Sequence, residues 1–170
     1  MAFAGIFIFA TANETSAQIK KPVAVKCTGH NGLTAAEITE VLAAQNQLRA
    51  EQKLAPLTWD CKLATTAQEW ATKGVFVHRE NFSYGENMFV SSNTAEPAVS
   101  AVTKWGGEKA FWTNKTGTCQ TGKICTHYTQ IVWKRSNHVG CGINRNGNVK
   151  WTTLLVCNYS PMGNTGGPAY

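Results

Sequence analysis

The sequence predicts an α+β protein with a small, mainly antiparallel β-sheet that is stapled by disulfide bonds. Three observations favour this class. Three segments place apolar residues at helical spacing after residues that commonly begin helices. Several shorter runs are rich in β-branched and aromatic residues, as strands are. Six cysteines follow an apolar N-terminal segment, which is typical of a secreted domain with paired cysteines.

The N-terminal segment is predicted to be a secretory signal peptide. An apolar run ends near Ala12, and the small residues up to Ala17 suit cleavage before Gln18. The run is shorter than the roughly 20 apolar residues of a membrane-spanning helix. We therefore expect a signal peptide at residues 1–17, an extended N-terminal arm at residues 18–32 and one domain at residues 33–170 of a secreted, extracellular protein.

The charge balance narrows the choice of partners. The chain has 16 basic and 10 acidic residues, a formal net charge of +6, which favours anionic surfaces such as acidic membranes or cell walls. The lysines are scattered singly, and the sequence has neither zinc-finger spacing nor a nucleotide-binding glycine loop. We expect no nucleic-acid partner and a monomeric protein.

The first two helices have clear start signals. The first is predicted to begin at Thr34, which can form a capping box with Glu37. Its inward face is predicted to comprise Ile38, Val41, Leu42, Gln45 and Leu48. The second should follow Asp60, a good N-cap residue, and end at Gly74 in the left-handed conformation. Its buried residues are predicted to be Leu63, Ala64, Ala67, Trp70 and Ala71.

The third helix is predicted to start between Thr94 and Pro97 and to continue through Trp112. Gly106 and Gly107 interrupt it. Each glycine costs roughly 0.8–1 kcal/mol relative to alanine inside a helix, so we expect a bend or a thinning there.

Four runs are predicted to contain strands. Residues 82–90 alternate in their second half, and Tyr128 to Trp133 suit a half-buried strand. The runs 139–144 and 149–157 flank Asn146-Gly147, a dipeptide typical of two-residue hairpin turns.

Six cysteines predict three disulfides, but their spacing alone does not choose the pairing. The sequence contains no C-x-x-C pair, which argues against a zinc site built from cysteine.

Two long segments resemble the signatures of a known family. They are Cys125 to Gly142 and Leu155 to Asn164. The chain is similar to the CAP superfamily, which joins cysteine-rich secretory proteins, antigen 5 and plant pathogenesis-related proteins of group one. The similarity covers about Leu33 to Asn164 and includes these upstream residues: Asn46, Arg49, Pro56-Leu57-Thr58-Trp59-Asp60, Tyr84-Gly85-Glu86-Asn87, Trp105 and Glu108.

The resemblance implies a three-layer α/β/α sandwich and a pairing of the cysteines. It pairs Cys119 with Cys125 and Cys141 with Cys157, which leaves Cys27 for Cys61. A two-residue turn at Asn146-Gly147 would leave Cys157 roughly 17 Å along its strand from the residue opposite Cys141. A disulfide needs Cα atoms within about 7 Å, so we expect the bridge and a longer loop from about Arg145 to Lys150.

The resemblance also implies a central cleft with two histidines and two glutamates, here His78, Glu86, Glu108 and His127. These side chains could bind zinc or another divalent cation weakly, or they could form a hydrogen-bonded network that rigidifies the cleft. In an enzyme, a histidine would act as general base. The sequence has no H-E-x-x-H and no G-x-S-x-G motif, and His30 and His138 are expected to be surface residues.

A third implication of the resemblance is a lipid or sterol site in an apolar groove near the third helix. Phe111 and Trp112 could supply aromatic contacts there, or both rings could fill the core. The segment Pro161 to Tyr170 resembles the C-terminal tails from which some plant relatives release a peptide, but it is shorter. Asn81 and Asn114 begin glycosylation sequons.

The leading functional hypothesis is a secreted, non-enzymatic CAP-domain protein that binds a lipid or sterol, of defence type, with a cleft able to take a divalent metal. The alternative is a metal-dependent peptidase or esterase that uses the same four residues, His78, Glu86, Glu108 and His127.

Overall fold

The computed structural model describes Cys27 and residues 31–80, 83–146 and 151–170. The predicted signal peptide, most of the N-terminal arm and His30 lie outside the described residues. No helix in the described part of the chain is long and apolar enough to cross a membrane.

The described chain folds into helices on both sides of one sheet. The elements in order are α1 (Ala35–Glu51), β1 (Thr58–Trp59), α2 (Cys61–Thr72), β2 (Gly85–Ser91), α3 (Val99–Gly107), a 3₁₀ helix (Glu108–Phe111), β3 (Trp112–Thr113), β4 (Thr118–Cys119), α4 (Thr126–Ile131), β5 (His138–Asn144) and β6 (Thr153–Ser160). The main sheet has the strand order β1-β5-β6-β2, and only the β1–β5 pair is parallel. The predicted α+β class with a mainly antiparallel sheet is confirmed.

Side chains that alternate along β6 separate the two helical layers. Leu155, Cys157 and Tyr159 belong to a core shared with α1, α3 and α4. Leu154 and Val156 pack instead with residues of α2. Because successive residues of a strand point to opposite faces, this pattern gives the three-layer sandwich that the resemblance implies.

The second helix rests directly on the sheet because β5 has glycines where the two approach. A Cβ atom on Gly140 would lie 2.2 Å from the Ala64 nitrogen, and one on Gly142 would lie 2.3 Å from the Gln68 nitrogen. Any larger residue would push the helix away.

Both helix-start predictions are confirmed for α1 and α2. The hydroxyl of Thr34 accepts a hydrogen bond from the Glu37 amide, and the Glu37 carboxylate accepts one from the Thr34 amide. The Asp60 carboxylate accepts a hydrogen bond from the Leu63 amide, and Gly74 has a positive φ of 68°.

Two predictions about buried faces need correction. Trp70 was expected in the core, but it is only half-buried, and its indole Nε1 donates to the Val77 carbonyl at 2.9 Å. On α1, Leu42 and Leu48 are half-buried and pack against the core as predicted, but the predicted face omits Arg49, which is one of the most buried side chains.

The third helix is shorter than predicted. It begins at Val99, two residues after Pro97, and ends at Gly107, where the chain tightens into the 3₁₀ helix. Trp112 lies in β3 and not in the helix. The glycine pair therefore ends the helix and does not merely bend it.

The strand predicted at Tyr128 to Trp133 is wrong, because residues 126–131 form the helix α4. Tertiary contacts override the local β-propensity here, because the helix buries four consecutive residues, Tyr128, Thr129, Gln130 and Ile131. The carboxylate of Glu108, which lies outside the helix, also caps it by accepting the His127 and Tyr128 amides.

The disulfide pairing is as predicted, with bonds Cys27–Cys61, Cys119–Cys125 and Cys141–Cys157. Cys141 and Cys157 are register partners across β5 and β6, and the last paired residues of that hairpin are Asn144 and Leu154. The connection is thus longer than a two-residue turn, as expected, although residues 147–150 lie outside the described residues.

The buried Arg49 guanidinium joins α1 to the loop that follows it and to residues 131–136, which are distant in sequence. It donates to the carbonyls of Ala55 at 2.8 Å, Ile131 at 2.8 Å, Trp133 at 2.9 Å and Ser136 at 2.9 Å. The side chain is only 1% exposed. Such charged hydrogen bonds satisfy carbonyls that water cannot reach.

Replacing Arg49 by leucine should lower the free energy of unfolding by at least about 3 kcal/mol, because buried carbonyls would lose their donor. Urea denaturation of the two proteins measures this difference. Arg135→Leu is the matched control, because Arg135 is exposed, and its cost should stay within about 0.5 kcal/mol. Equal costs for the two changes would contradict the role given to Arg49.

Candidate functional site

The candidate site is a cleft of about 570 Å³ whose lining includes His78, Glu86, His127 and Met162. His78 lies in the segment after α2, Glu86 on β2 and His127 on α4. Met162 belongs to the segment after β6. The volume falls within the range of about 300–1,000 Å³ that is usual for small-molecule sites.

The first histidine is held by a buried carboxylate. The Nδ1 atom of His78 lies 2.9 Å from Oε1 of Glu86, which also accepts a hydrogen bond from the Arg79 amide at 3.3 Å. The Glu86 side chain is 2% exposed and that of His78 is 63% exposed. The hydrogen bond to Glu86 is the main cause that raises the pKa of His78, and burial opposes it.

Glu108 holds the second histidine through both its ring and its backbone amide. Oε1 of Glu108 lies 2.6 Å from Nδ1 of His127, and Oε2 accepts the backbone amides of His127 and Tyr128, each at 3.0 Å. The imidazole also stacks on Trp105, with ring centroids 5.8 Å apart. Glu108 therefore caps α4 and orients the ring with the same carboxylate.

Both contacts leave the same ring nitrogen available. A carboxylate accepts hydrogen bonds, so the neutral imidazoles of His78 and His127 carry hydrogen on Nδ1, and each Nε2 keeps its lone pair. Metal-binding histidines commonly have this arrangement, in which a carboxylate fixes the ring from behind.

The four predicted residues form two pairs, His78 with Glu86 and His127 with Glu108. Among the described residues, no group of three or more His, Cys, Asp or Glu side chains is spaced to hold a metal ion. In each pair, Nε2 is the ring nitrogen left to bind a cation, and the carboxylate lies behind the ring. Oε2 of Glu86 is buried and has no hydrogen-bond partner among the described residues, and Glu86 is one of the residues that line the cleft. Metal binding by the four residues stays a prediction.

A chain of polar side chains supports the cleft from the core. Asn87 Nδ2 donates to the His127 carbonyl at 3.0 Å and lies 3.3 Å from the Tyr159 hydroxyl. That hydroxyl donates to Oε1 of Gln45 at 2.8 Å. Burial raises the pKa of Tyr159, which keeps the phenol protonated. Gln45, the polar exception on the apolar face of α1, thus serves as an acceptor.

Gln130 was not predicted as a site residue, although it lines the cleft. Its Oε1 accepts the Gly163 amide at 3.0 Å, and a Cβ atom on Gly85 would lie 1.9 Å from that oxygen. Position 85 must therefore be glycine, because any other side chain would clash with the Gln130 amide group. The glycine beside Glu86 and the polar residue in an apolar run were the signals in the sequence.

The predicted lipid residues lie outside the cleft. Phe111 and Trp112 are both half-buried; Nε1 of Trp112 lies 3.3 Å from Oδ1 of Asn114, and the Lys123 ammonium lies 4.7 Å from the Phe111 ring centroid. A groove of about 230 Å³ does run between α1 and α3. Neither aromatic residue is among the residues that line it.

The C-terminal segment packs onto the domain through Asn114, the first residue of one sequon. Its Oδ1 accepts the amides of Ala169 at 2.9 Å and Tyr170 at 3.2 Å, and its Nδ2 donates to the Tyr170 oxygen. Ala169 is buried, and its carbonyl accepts the Lys134 amide at 2.7 Å. The other sequon begins at Asn81, outside the described residues. Release of a tail peptide stays a prediction.

Comparison with known proteins identifies relatives of this chain. The sequence model of the family described as "Cysteine-rich secretory protein family" (CAP) matches residues 42–159. The chain is 37% identical over 128 residues to the "Pathogenesis-related protein PR-1 type" of Sambucus nigra, covering 73% of this chain and 75% of the relative. It is 38% identical over 129 residues to "Pathogenesis-related protein 1A" of Nicotiana tabacum, covering 74% and 75%.

Two solved structures have the same fold. The structure of BmVAL-1 superposes with a TM-score of 0.72 at 27% identity and covers 86% of each chain. The crystal structure of NaASP2 with Zn²⁺ gives a TM-score of 0.69 at 26% identity, covering 85% of this chain and 90% of that one.

The hydrogen bond to Glu86 should hold the pKa of His78 above its usual value of about 6.5. The stabilisation by this pair is therefore complete below about pH 6.5 and is lost as pH rises through the raised pKa. In the Glu86→Gln variant the pKa of His78 should fall, because the negative charge is gone. Titration of the ring protons by NMR measures both values, with His138 as an internal reference outside the cleft. An unchanged value for His78 would refute the coupling.

Proposed function

The chain belongs to the cysteine-rich secretory protein family, and we propose that it is an extracellular, defence-type member that binds a lipid or sterol and holds a divalent metal in its cleft. The observation that carries the metal part is the pair of histidines that two carboxylates fix with Nε2 free. Binding, and not turnover, is the proposed mode of action.

The chemistry of the donors supports zinc as the cation. Imidazole nitrogens and carboxylate oxygens are common zinc ligands, and a carboxylate behind the ring raises the basicity of the free nitrogen. His78 and His127 would hold the ion, while Glu86 and Glu108 keep the rings in place. With few protein ligands, the affinity would be modest. The structural neighbour NaASP2, whose crystal structure is with Zn²⁺, is in keeping with this proposal.

The lipid part of the proposal is supported by apolar surface near α3. The groove between α1 and α3 has Ala44, Leu48 and Val102 among its lining residues. Its volume of about 230 Å³ is below that of a typical enclosed ligand site, so it would take part of an acyl chain or one edge of a sterol. The half-exposed ring of Phe111 lies after the same helix and offers a further apolar contact.

The alternative is a metal-dependent hydrolase that uses the same four residues. In such an enzyme His78 or His127 would take a proton from the attacking water while its glutamate keeps the ring oriented. A bound metal would supply a more acidic water. All six cysteines are in disulfides, so no cysteine has a free thiol that could act as the nucleophile. The two hypotheses differ in one respect: only the hydrolase would convert a peptide or ester to products.

Zinc should bind the protein with roughly micromolar affinity and should not bind a His78→Ala, His127→Ala double variant, because the two Nε2 donors are lost. Isothermal calorimetry of the metal-free proteins at one pH measures this. His138→Ala, a change at an exposed histidine outside the cleft, should leave the affinity unchanged. If the wild-type protein takes up no zinc, the two pairs are a hydrogen-bonded network and the metal proposal is wrong.

The same double variant separates ligand binding from hydrolysis. Transfer of sterol or fatty acid to the protein should survive the loss of both histidines and should fall in Phe111→Ala, because the lipid contacts lie on α3 and the segment after it. A fluorescent sterol and fatty acid serve as probes. Peptide or ester turnover that disappears with either histidine and with chelation would instead establish the hydrolase.

A further inference from the structure

A run of three consecutive apolar residues is exposed next to the cleft. Val75, Phe76 and Val77 follow the end of α2 and are 43%, 47% and 66% exposed. Single exposed apolar residues are ordinary on protein surfaces, but a run of three is unfavourable for solubility unless it has a function. Neither the family cleft nor the groove on α3 accounts for this run.

Two tryptophans stand at the base of the run, and together these five residues form what we call the apolar turn. Phe76 makes an edge-to-face contact with Trp151, with ring centroids 6.4 Å apart. Trp70 is half-buried and donates its indole Nε1 to the Val77 carbonyl. Phe76 therefore contacts one tryptophan ring, and Val77 is hydrogen-bonded to the other. We call these two rings, Trp70 and Trp151, the platform of the apolar turn.

Cationic side chains lie on that platform. The Lys73 ammonium is 4.6 Å and the Arg79 guanidinium 5.0 Å from the centroid of the Trp70 ring. Glu69 and Glu80 are the exposed carboxylates nearest in sequence, so the local charge is balanced, while the whole chain carries +6. Long-range attraction to an anionic surface thus comes from the net charge, and Lys73 and Arg79 supply cations at the point of contact.

From these features we propose that the apolar turn docks the protein on anionic lipid bilayers. Val75, Phe76 and Val77 would enter the headgroup region, with Trp70 and Trp151 at the interface and the two cations near lipid phosphates. Tryptophan is enriched at this depth of a bilayer, and lysine and arginine reach from apolar surroundings to the headgroups.

A bilayer fits this surface better than a second copy of the chain. The exposed parts of these three side chains amount to roughly 300 Å². A stable protein interface buries about 1,200–2,000 Å² in total, which this surface does not approach. Insertion of a few side chains into lipid needs no matching surface.

Docking would bring the cleft to the membrane. A groove of about 480 Å³ is lined by Trp70, Val75 and Val77 of the apolar turn and by His78 and Arg79, which also line the cleft. The rim of the cleft would then lie at the height of the lipid headgroups. This inference rests on the lipid-directed part of the proposed function, but it concerns a different surface from the groove on α3.

Co-sedimentation with sterol-free vesicles tests the proposal. The protein should bind vesicles of phosphatidylcholine mixed with phosphatidylserine and bind phosphatidylcholine alone much more weakly, and added salt should weaken binding. A Phe76→Ser, Val77→Ser double variant should bind the mixed vesicles at least about tenfold more weakly. Lys73→Gln should weaken binding by about fivefold. Ile124→Ser, which removes an equally exposed aliphatic side chain (63% exposed) elsewhere, is the matched control and should change little.

The proposal is overturned if the wild-type protein does not sediment with the mixed vesicles, or if the Phe76→Ser, Val77→Ser variant binds as the wild type does. It is also overturned if Ile124→Ser causes the same loss, or if the variant only abolishes self-association measured by sedimentation velocity. The Phe76→Ser, Val77→Ser variant should bind sterol and zinc in solution as the wild type does. Loss of vesicle binding with retained sterol binding would therefore separate this surface from the proposed function. Retained vesicle binding in a protein that binds no sterol would separate the two as well.

Discussion

The carboxylate of Glu108 is the contact on which the candidate site depends. It accepts two backbone amides at the start of α4 and holds Nδ1 of His127. The helix has six residues, and its own N-cap residue, Cys125, makes no side-chain capping bond. A helix this short is marginal without tertiary support, so one side chain from another element both permits the helix and sets the direction of its histidine.

Glu108 can reach α4 because of what precedes it. The helix α3 ends at Gly107, and the chain continues as a 3₁₀ helix that begins with Glu108. From the other end, the buried guanidinium of Arg49 binds the carbonyls of Ile131 and Trp133, where α4 ends. The half-buried carboxylate of Glu108 and the buried guanidinium of Arg49 thus hold the two ends of α4 against α3 and α1, and His127 lies between them.

The sequence predicts most of the fold because its signals are local. The capping box at Thr34, the N-cap at Asp60 and the left-handed Gly74 act within a few residues, and all are found. The strand wrongly predicted at Tyr128 to Trp133 shows the limit. Its helix depends on Glu108, which is distant in sequence, and no local pattern contains that information. For the same reason local patterns predict neither Gln130 as a site residue nor the complete burial of Arg49. The four cleft residues are predicted from the resemblance to the family signatures and not from their spacing in the sequence.

Two carboxylates fix both cleft histidines with hydrogen on Nδ1 and with Nε2 free. Long-range ¹H–¹⁵N correlation spectra of the metal-free protein, recorded at a pH where the rings are neutral, report the tautomer of each histidine directly. We expect the Nδ1–H form for both His78 and His127, and a return of His127 to the mixed tautomers of free imidazole in Glu108→Ala. An Nε2–H form at either residue in the wild-type protein would contradict that expectation.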